Sequence, residues 1–449
     1  MKKNTRSKAR VRARNVHIQS TGRGLTSQAG LIPVVKFLKK MGLPDALDNF
    51  VPHRRGNNAV YQLSDVTYLT VLGLIAGASS LLKVVAVWSD GVLRGAAGCI
   101  RIPDDTTLGR IFKEVSPGQI SLMETLQHRL RSTVWRAALR AGTSKVAALR
   151  QIWIDVDSAV DTVYGRQEGT AKGYNPHKRG ALSYHPIIAF CCETKEILQA
   201  WFRTGSAYTS NGIVGFMKQL LAHLPNRVRI VFRGDSGFFV GSLLALLESK
   251  GHGYLIKVKL RNLAELMGKQ TWIPIPNQPG WEQCEFKHEC AGWGESRRFV
   301  AVRVEKKEEK PSQQQELFQT KQYDYFCYVL TESLCPWDAH KKYGERATCE
   351  TWIEESKGQM GMGHIRTSEF LANAALFQCA VLAYNVLRFM ALMSNNATLR
   401  QWEPTTIRVF LIRVAGKLVT GGRQLLLKTP GDLFYQKEWS DWVAVGLEP

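Results

Sequence analysis

The stretch Gln151-Ile152-Trp153-Ile154-Asp155-Val156-Asp157-Ser158 decides how the chain is read. Ile152, Ile154 and Val156 alternate with Trp153, Asp155 and Asp157. This period of two predicts a strand with an apolar face and a face that carries two acids. Acidic residues are depleted in strands. One of them could close a strand end, but two on one face of an otherwise apolar strand point to chemistry.

Strand-like runs follow at 184–192 and 197–204, joined by the turn-like Glu193-Thr194-Lys195. A helix suits 212–223, a strand 227–232, a helix 239–249 and a strand 253–258. Strand, strand, strand, helix, strand, helix, strand is the order expected of a ribonuclease-H-like α/β core. The pattern lapses near Arg261. Short strands at 299–304 and 325–330, with a polar tract at 305–315 between them, predict a β-rich insertion with a loop. Helices are predicted at 340–357 and 368–393, and one more at 404–416.

A second acid, Asp235, sits in Arg233-Gly234-Asp235-Ser236-Gly237-Phe238, directly after the predicted strand 227–232. A carboxylate at the C-terminal end of a strand, followed by a glycine turn into a helix, suits a catalytic position; an ordinary Asp turn reads the same way. A third acidic region is Tyr343 to Lys357. At ~100° per residue, Tyr343, Glu350 and Lys357 nearly align on a helix, with Arg346 about 60° to one side and Glu354 about 20° to the other. A solvated helix laced with ion pairs such as Arg346–Glu350 would show the same pattern. Phosphoryl transfer on DNA uses two divalent metals about 3.5–4 Å apart, held by carboxylate oxygens, and three acids on rigid elements meet that need.

These residues resemble a known family. Tyr343, Arg346, Glu350 and Lys357 carry the spacings of the Tyr-Arg-Glu-Lys signature of bacterial insertion-sequence transposases of the DDE type. Arg346-Ala-Thr-Cys-Glu350-Thr-Trp-Ile with Lys357-Gly-Gln-Met-Gly is similar to the IS-thirteen-eighty family. So are Asp155-Val-Asp157-Ser, Tyr164-Gly165, Gln167-Glu168-Gly169, Gly173-Tyr174-Asn175-Pro176 and Arg233-Gly-Asp235-Ser-Gly-Phe. The resemblance covers roughly 152–393. It implies a ribonuclease-H-like core interrupted by a β-stranded insertion, with Asp157, Asp235 and Glu350 as catalytic metal ligands. Asp157 is preferred to Asp155 because Ser158 follows it. Tyr343, Arg346 and Lys357 would contact DNA phosphates near the cleaved end. In related transposases an aromatic of the insertion stacks on an extruded base; Trp272, Trp281 and Trp293 are the candidates, with core packing as the plainer reading of each.

The resemblance also implies two Mg²⁺ ions, for which Mn²⁺ substitutes. The expected activity is binding of terminal inverted repeats, nicking of the element ends and strand transfer into target DNA by cut-and-paste transposition. Double-stranded DNA is the expected partner, and bringing two ends together implies a homodimer. A catalytically silent DNA-binding protein or repressor on the same fold is the alternative.

The rest of the chain agrees with these expectations. Lys and Arg number 60 against 38 Asp and Glu, a net charge of +22 that favours a polyanionic partner. Eleven Lys or Arg precede the first acid, Asp45, and seven of them fall in residues 2–14. We therefore expect an α/β protein in this layout: a basic flexible arm (1–24), a helical DNA-binding domain (25–149), the catalytic core (150–261 and 340–394), the β-rich insertion (262–339) and a C-terminal helical region (395–449). The N-terminal basic run lacks the apolar stretch of a secretory signal. The longest apolar run, 371–393, contains Asn373, Gln378, Asn385 and Arg388, which suits a core helix and not a membrane span. The nine cysteines contain no CxxC. Cys284, His288 and Cys290 lack a fourth zinc ligand at suitable spacing, and free thiols in a reducing compartment are expected. A cytoplasmic, nucleoid-associated bacterial protein is the expectation.

Overall fold

The computed structural model describes residues 16–51, 59–99, 101–173, 175, 178–306, 322–363, 367–422 and 424–447. The basic arm at 2–14 and most of the polar tract at 305–315 lie outside the described residues.

Most of the described residues between 31 and 140 are helical. The helices are α1 (Leu31–Lys40), α2 (Leu43–Phe50), α3 (Leu63–Ala76), α4 (Leu81–Trp88), α5 (Gly91–Ala97), α6 (Asp105–Lys113) and α7 (Pro117–Arg140). Their ends are set by local chemistry. The Asp104 carboxylate accepts from Thr107 N–H to cap α6. Ser116 and Gln119 close a capping box on α7. Gly77, at φ 102°, ends α3 in the left-handed conformation that glycine tolerates best.

The centre of the molecule is a nine-stranded mixed sheet. In chain order its strands are β1 (Gln151–Ser158), β2 (Ile187–Cys191), β3 (Ile197–Trp201), β4 (Arg229–Gly234), β5 (Gly253–Lys257), β6 (Ile273–Pro274), β7 (Trp281–Glu289), β8 (Ser296–Glu305) and β9 (Tyr323–Leu330). Across the sheet they run β6-β7-β8-β9-β5-β4-β1-β2-β3. β1 is antiparallel to β2 but parallel to β4, and β4 is parallel to β5. The helices α8 (Ile213–His223) and α9 (Gly241–Ser249) connect β3, β4 and β5. The strands at 281–330 do not form a separate body: β9 pairs antiparallel with β5, so they extend the same sheet.

Beyond α10 (Leu263–Gly268), the expected helix over 340–357 is broken. It appears as α11 (Pro336–Gly344) and α12 (Ala347–Glu354), followed by one π-helical turn at Glu355–Gln359. Next comes α13 (Phe370–Met393), long and apolar enough to cross a membrane, yet with 89% of its most apolar window buried inside the fold. Its polar side chains explain the burial. Asn385 Oδ1 accepts from Ile197 N–H at 2.8 Å and its Nδ2 donates to Ile197 C=O at 2.9 Å, satisfying the outer strand β3. Gln378 donates to Glu124 and Ala200, and Arg388 pairs with Glu355. α13 packs on α3, α6 and α7 on one side and on β3 on the other, so one continuous hydrophobic core joins the N-terminal helices to the sheet.

The C-terminal stretch departs from expectation. The helix predicted over 404–416 lasts only through α15 (Pro404–Ile407), which follows the short α14 (Ala397–Gln401), and it runs into a π turn at Arg408–Ile412. A hairpin, Gly416–Gly421 with Gln424–Lys428, follows, and its first strand pairs with Leu25–Thr26. The last helix is α16 (Gln436–Leu447). Apolar alternation in Leu418, Leu425 and Leu427 is short enough to be overlooked beside a glycine pair, which is how the hairpin escapes a periodicity reading.

Candidate active site

Register places the first two acids side by side. β1 and β4 are parallel, and Val156 pairs with Gly234. Asp157 and Asp235 are therefore the next pair along, at the C-terminal ends of neighbouring strands. Asp235 leaves β4 in an extended conformation, and its Oδ1 accepts from Gly237 N–H at 2.9 Å, which turns the chain into the short helix Ser236–Phe238.

Asp155 has a different fate, although it lies on the same face of β1 as Asp157. It is fully buried, and both of its oxygens are taken by Arg233: Nε to Oδ1 at 2.5 Å and Nη2 to Oδ2 at 2.8 Å. Cys192 Sγ also donates to Oδ2 at 3.3 Å. Arg233 stands opposite Asp155 in register on β4 and also reaches Lys342 C=O and Glu345. This clamp ties α11 to the sheet.

Asp157 is half-buried, with its side chain 16% exposed, and Arg346 Nη2 lies 2.7 Å from its Oδ2. Burial pushes the Asp157 carboxyl up to about 6; Arg346 pulls it down and the neighbouring Asp235 pushes it up again. The Arg346 guanidinium stays above its ordinary pKa: burial would lower it, but Asp157 and Tyr343 outweigh that. Arg346 Nε and Nη2 are buried without a well-directed hydrogen bond, since the Nη2–Asp157 contact is an ion pair of poor angle. The Tyr343 ring packs at a tilt of 41° against Tyr328, with 4.7 Å between centroids. Burial, then Asp235, Asp157 and Glu350, push its hydroxyl up to about 12 against the pull of Arg346, so it stays protonated.

Glu350 stands apart. It is 69% exposed on α12, with Arg346 Nη1 only loosely paired at 3.7 Å. Glu354, its rival in helical phase, is also exposed. Lys357 falls in the π turn, and its Nζ donates to Val160 C=O at 2.6 Å, just past the end of β1. The break at Glu345–Arg346 and the π turn thus replace the single straight face expected of Tyr343, Arg346, Glu350 and Lys357. Among the described residues no three His, Cys, Asp or Glu side chains converge as a metal site. Asp157 and Asp235 nevertheless fit a hard divalent cation, being two oxygen donors at one strand end whose repulsion a cation would relieve. Glu350 would join them only by turning inward.

The structure adds residues that sequence reasoning missed. Buried Arg203 donates to the carbonyls of His185, Tyr208, Thr209 and Asn211, and Thr209 Oγ1 lies 3.1 Å from Ser158 Oγ beside Asp157. An arginine in a predicted strand end gives no sequence signal for such a role. The three tryptophans are half-buried in packing. Trp272 lies against Tyr325 and Arg303, Trp281 against Trp337 and His340, and Trp293 against Phe239 and Arg297. Cys284 and Cys290 are buried, and all nine cysteines are free.

No curated protein sequence matches the chain. Among solved structures, a similar chain is that of the cryo-EM structure of a piggyBac transposase synaptic complex with hairpin DNA. It is 10% identical over 85% of this chain and 84% of that one, with a TM-score of 0.37, too low to carry an argument about fold or function. The family described as Transposase DDE domain group 1 matches residues 8–445, nearly the whole length. The chain belongs to that transposase family.

Proposed function

We propose that the protein is a bacterial DNA transposase of the Tyr-Arg-Glu-Lys insertion-sequence type, in the IS-thirteen-eighty family, acting by cut-and-paste. It would bind the terminal inverted repeats of its element, nick their ends and transfer the freed 3′ ends into target DNA. The observation that carries this reading is the adjacency of Asp157 and Asp235 at the ends of parallel strands, bordered by Arg346 and Tyr343. The β3-β2-β1-β4-β5 order supports a ribonuclease-H-like core over 150–261 and 340–394. The 262–339 stretch is then an insertion built onto the sheet edge, and the basic helical region 25–149 is the proposed DNA-binding unit, with the arm 1–24 before it. A homodimer on two DNA ends, working at the nucleoid, completes the reading.

DDE transposase domains generally use divalent metal ions. Bound here by Asp157, Asp235 and Glu350, Mg²⁺ or Mn²⁺ would lower the pKa of the attacking oxygen and stabilise charge on the departing one. The chain's own residues do the rest. Asp157 would exchange its ion pair with Arg346 for the cation. Asp235 is kept in one rotamer by Gly237 N–H. Arg346, with donors lacking directed partners, suits two oxygens of a phosphate. Tyr343 stays protonated and can donate to a third oxygen, and Lys357 supplies a point charge.

The test is cleavage of a labelled element-end duplex with Mg²⁺ by the parent and by Asp157→Asn, Asp235→Asn and Glu350→Gln, with binding followed in the same samples. Variants that bind but do not cut support the reading. A parent that binds but neither cuts nor joins under any divalent metal would move the protein to the silent DNA-binding class.

A further inference from the structure

Between β1 and β2 the chain does not make a short hairpin. Residues 159–186 form an excursion with its own small sheet of Asp161–Thr162, Leu182–Tyr184 and Ala171–Lys172. It leaves the core two residues after Asp157, at the same end of the sheet as the candidate site. It also contains the Tyr164-Gly165, Gln167-Glu168-Gly169 and Gly173-Tyr174-Asn175-Pro176 motifs, to which the proposed chemistry gives no task.

The excursion is firmly mounted. Glu168 N–H donates to Ser368 C=O, the Glu168 carboxylate accepts from Phe370 N–H, and the Tyr184 hydroxyl donates to Glu168 C=O. Its backbone lies directly on the loop after β3. A Cβ on Gly205 would come within 1.9 Å of Ser183 C=O, and one on Gly173 within 2.2 Å of Gly205 C=O. That loop carries Tyr208 and the Thr209 that touches Ser158. The excursion and the loop therefore form one surface leading away from Asp157.

The exposed chemistry of this surface is one-sided. Arg166, Lys172, Lys178 and Arg179 are exposed. Of the two acids, Asp161 is buried and the Glu168 carboxylate is bound to the Phe370 amide. Two large aromatics stand in solvent, Tyr164 at 81% and Tyr208 at 69% exposure. Asn175 donates to Thr162 Oγ1 and accepts from Lys178 N–H, which sets Lys178 Nζ 4.7 Å from the Tyr164 ring centroid. A tyrosine buried for packing would not be left this open. A ring with one face under a cation and fixed cations around it matches how proteins hold a single nucleic-acid strand, with phosphates on the cations and a base on the ring.

We infer that this surface is a binding platform for an unpaired stretch of DNA strand next to the scissile phosphate, with a base stacked on Tyr164. The inference rests on the transposase reading and adds a ligand class to that site. Tyr164 and Lys178 are surface residues, so Tyr164→Ala, Lys178→Gln and the double variant should keep the parent's melting temperature.

The test is fluorescence anisotropy with a labelled mixed-sequence 30-nucleotide single strand and the matching duplex. The double variant should bind the single strand about tenfold more weakly, the scale of one lost stacked base, and bind the duplex as the parent does. Tyr164→Phe should restore single-strand binding. Equal single-strand affinity of parent and double variant overturns the inference while leaving the transposase reading intact. So does a change in sedimentation of the Tyr164→Ala variant without DNA, with its single-strand affinity unchanged, since Tyr164 would then serve contacts between copies of the chain. A parent that binds neither probe overturns the transposase reading, and the platform with it.

Discussion

Arg346 and Asp157 face each other at 2.7 Å, so the cation nearest the first carboxylate comes from the same segment that carries Glu350. Arg346→Gln should cost about 1–3 kcal/mol, the usual cost of leaving a buried polar group without its partner. In Asp157→Asn/Arg346→Gln neither partner is left alone, and the loss should be smaller than the sum of the single losses. Urea denaturation of all four proteins measures this. Additive losses would show that the pair contributes nothing of its own.

The two acids of β1 should separate cleanly. Asp155 is fully buried against Arg233, and removing one partner of such a pair costs roughly 3–5 kcal/mol. Asp155→Asn should therefore destabilise the protein more than Asp157→Asn, because Asp157 is partly exposed and Glu350 remains near Arg346. Strand cleavage should follow the opposite order when each variant is assayed well below its melting temperature. If Asp157→Asn cuts DNA normally, Asp157 is not a ligand.

Glu124 gives a pH signature remote from the site. Burial pushes its carboxyl up to about 7, against the pull of its hydrogen bond from Gln219. The folded state holds this proton more tightly than the unfolded chain does. Its contribution to stability is complete below about 4.5, shrinks as pH rises and is gone above about 7. Moving a carboxyl from 4.5 to about 7 corresponds to roughly 3 kcal/mol. The difference in unfolding free energy between pH 5 and pH 8 should shrink by about that amount in Glu124→Gln. An unchanged difference would show that Glu124 is ionised in the folded protein.

Asn385→Leu tests the polar spine of α13. The substitution keeps the side-chain branching but takes the acceptor from the Ile197 N–H, while Ile197 C=O keeps the donor Arg131 Nη2 at 2.6 Å. The one stranded N–H costs roughly 1–3 kcal/mol, which thermal unfolding should show as a clear fall in melting temperature. A melting temperature within a degree or two of the parent's would mean that water replaces the amide.

What the sequence showed well were features fixed by short-range rules. The alternation at Ile152 to Val156 marked β1, and the order of elements from β1 to β5 followed from period alone. What it hid depended on distant partners. Asp155 and Asp157 look equivalent until Arg233 arrives from β4 and takes one of them into the core. The Tyr343 to Lys357 segment reads as one straight helix, because nothing local announces a break at Arg346. That break goes with the pull of the buried guanidinium toward Asp157. The strands at 281–330 read as an insertion, and only the pairing of Tyr328 with Lys257 shows that they continue the central sheet.

The position of α13 has a consequence for how the molecule comes apart. Its 24 residues are shared, with the N-terminal helices lining one flank and β3 the other. Neither half of the chain therefore owns a complete interior. Cutting the gene near residue 150 would leave two fragments, each with an apolar flank open to water. In the intact chain, heat should disrupt both regions in one cooperative event rather than two. The same coupling sets the span between the N-terminal helices and the carboxylates by packing rather than by a linker.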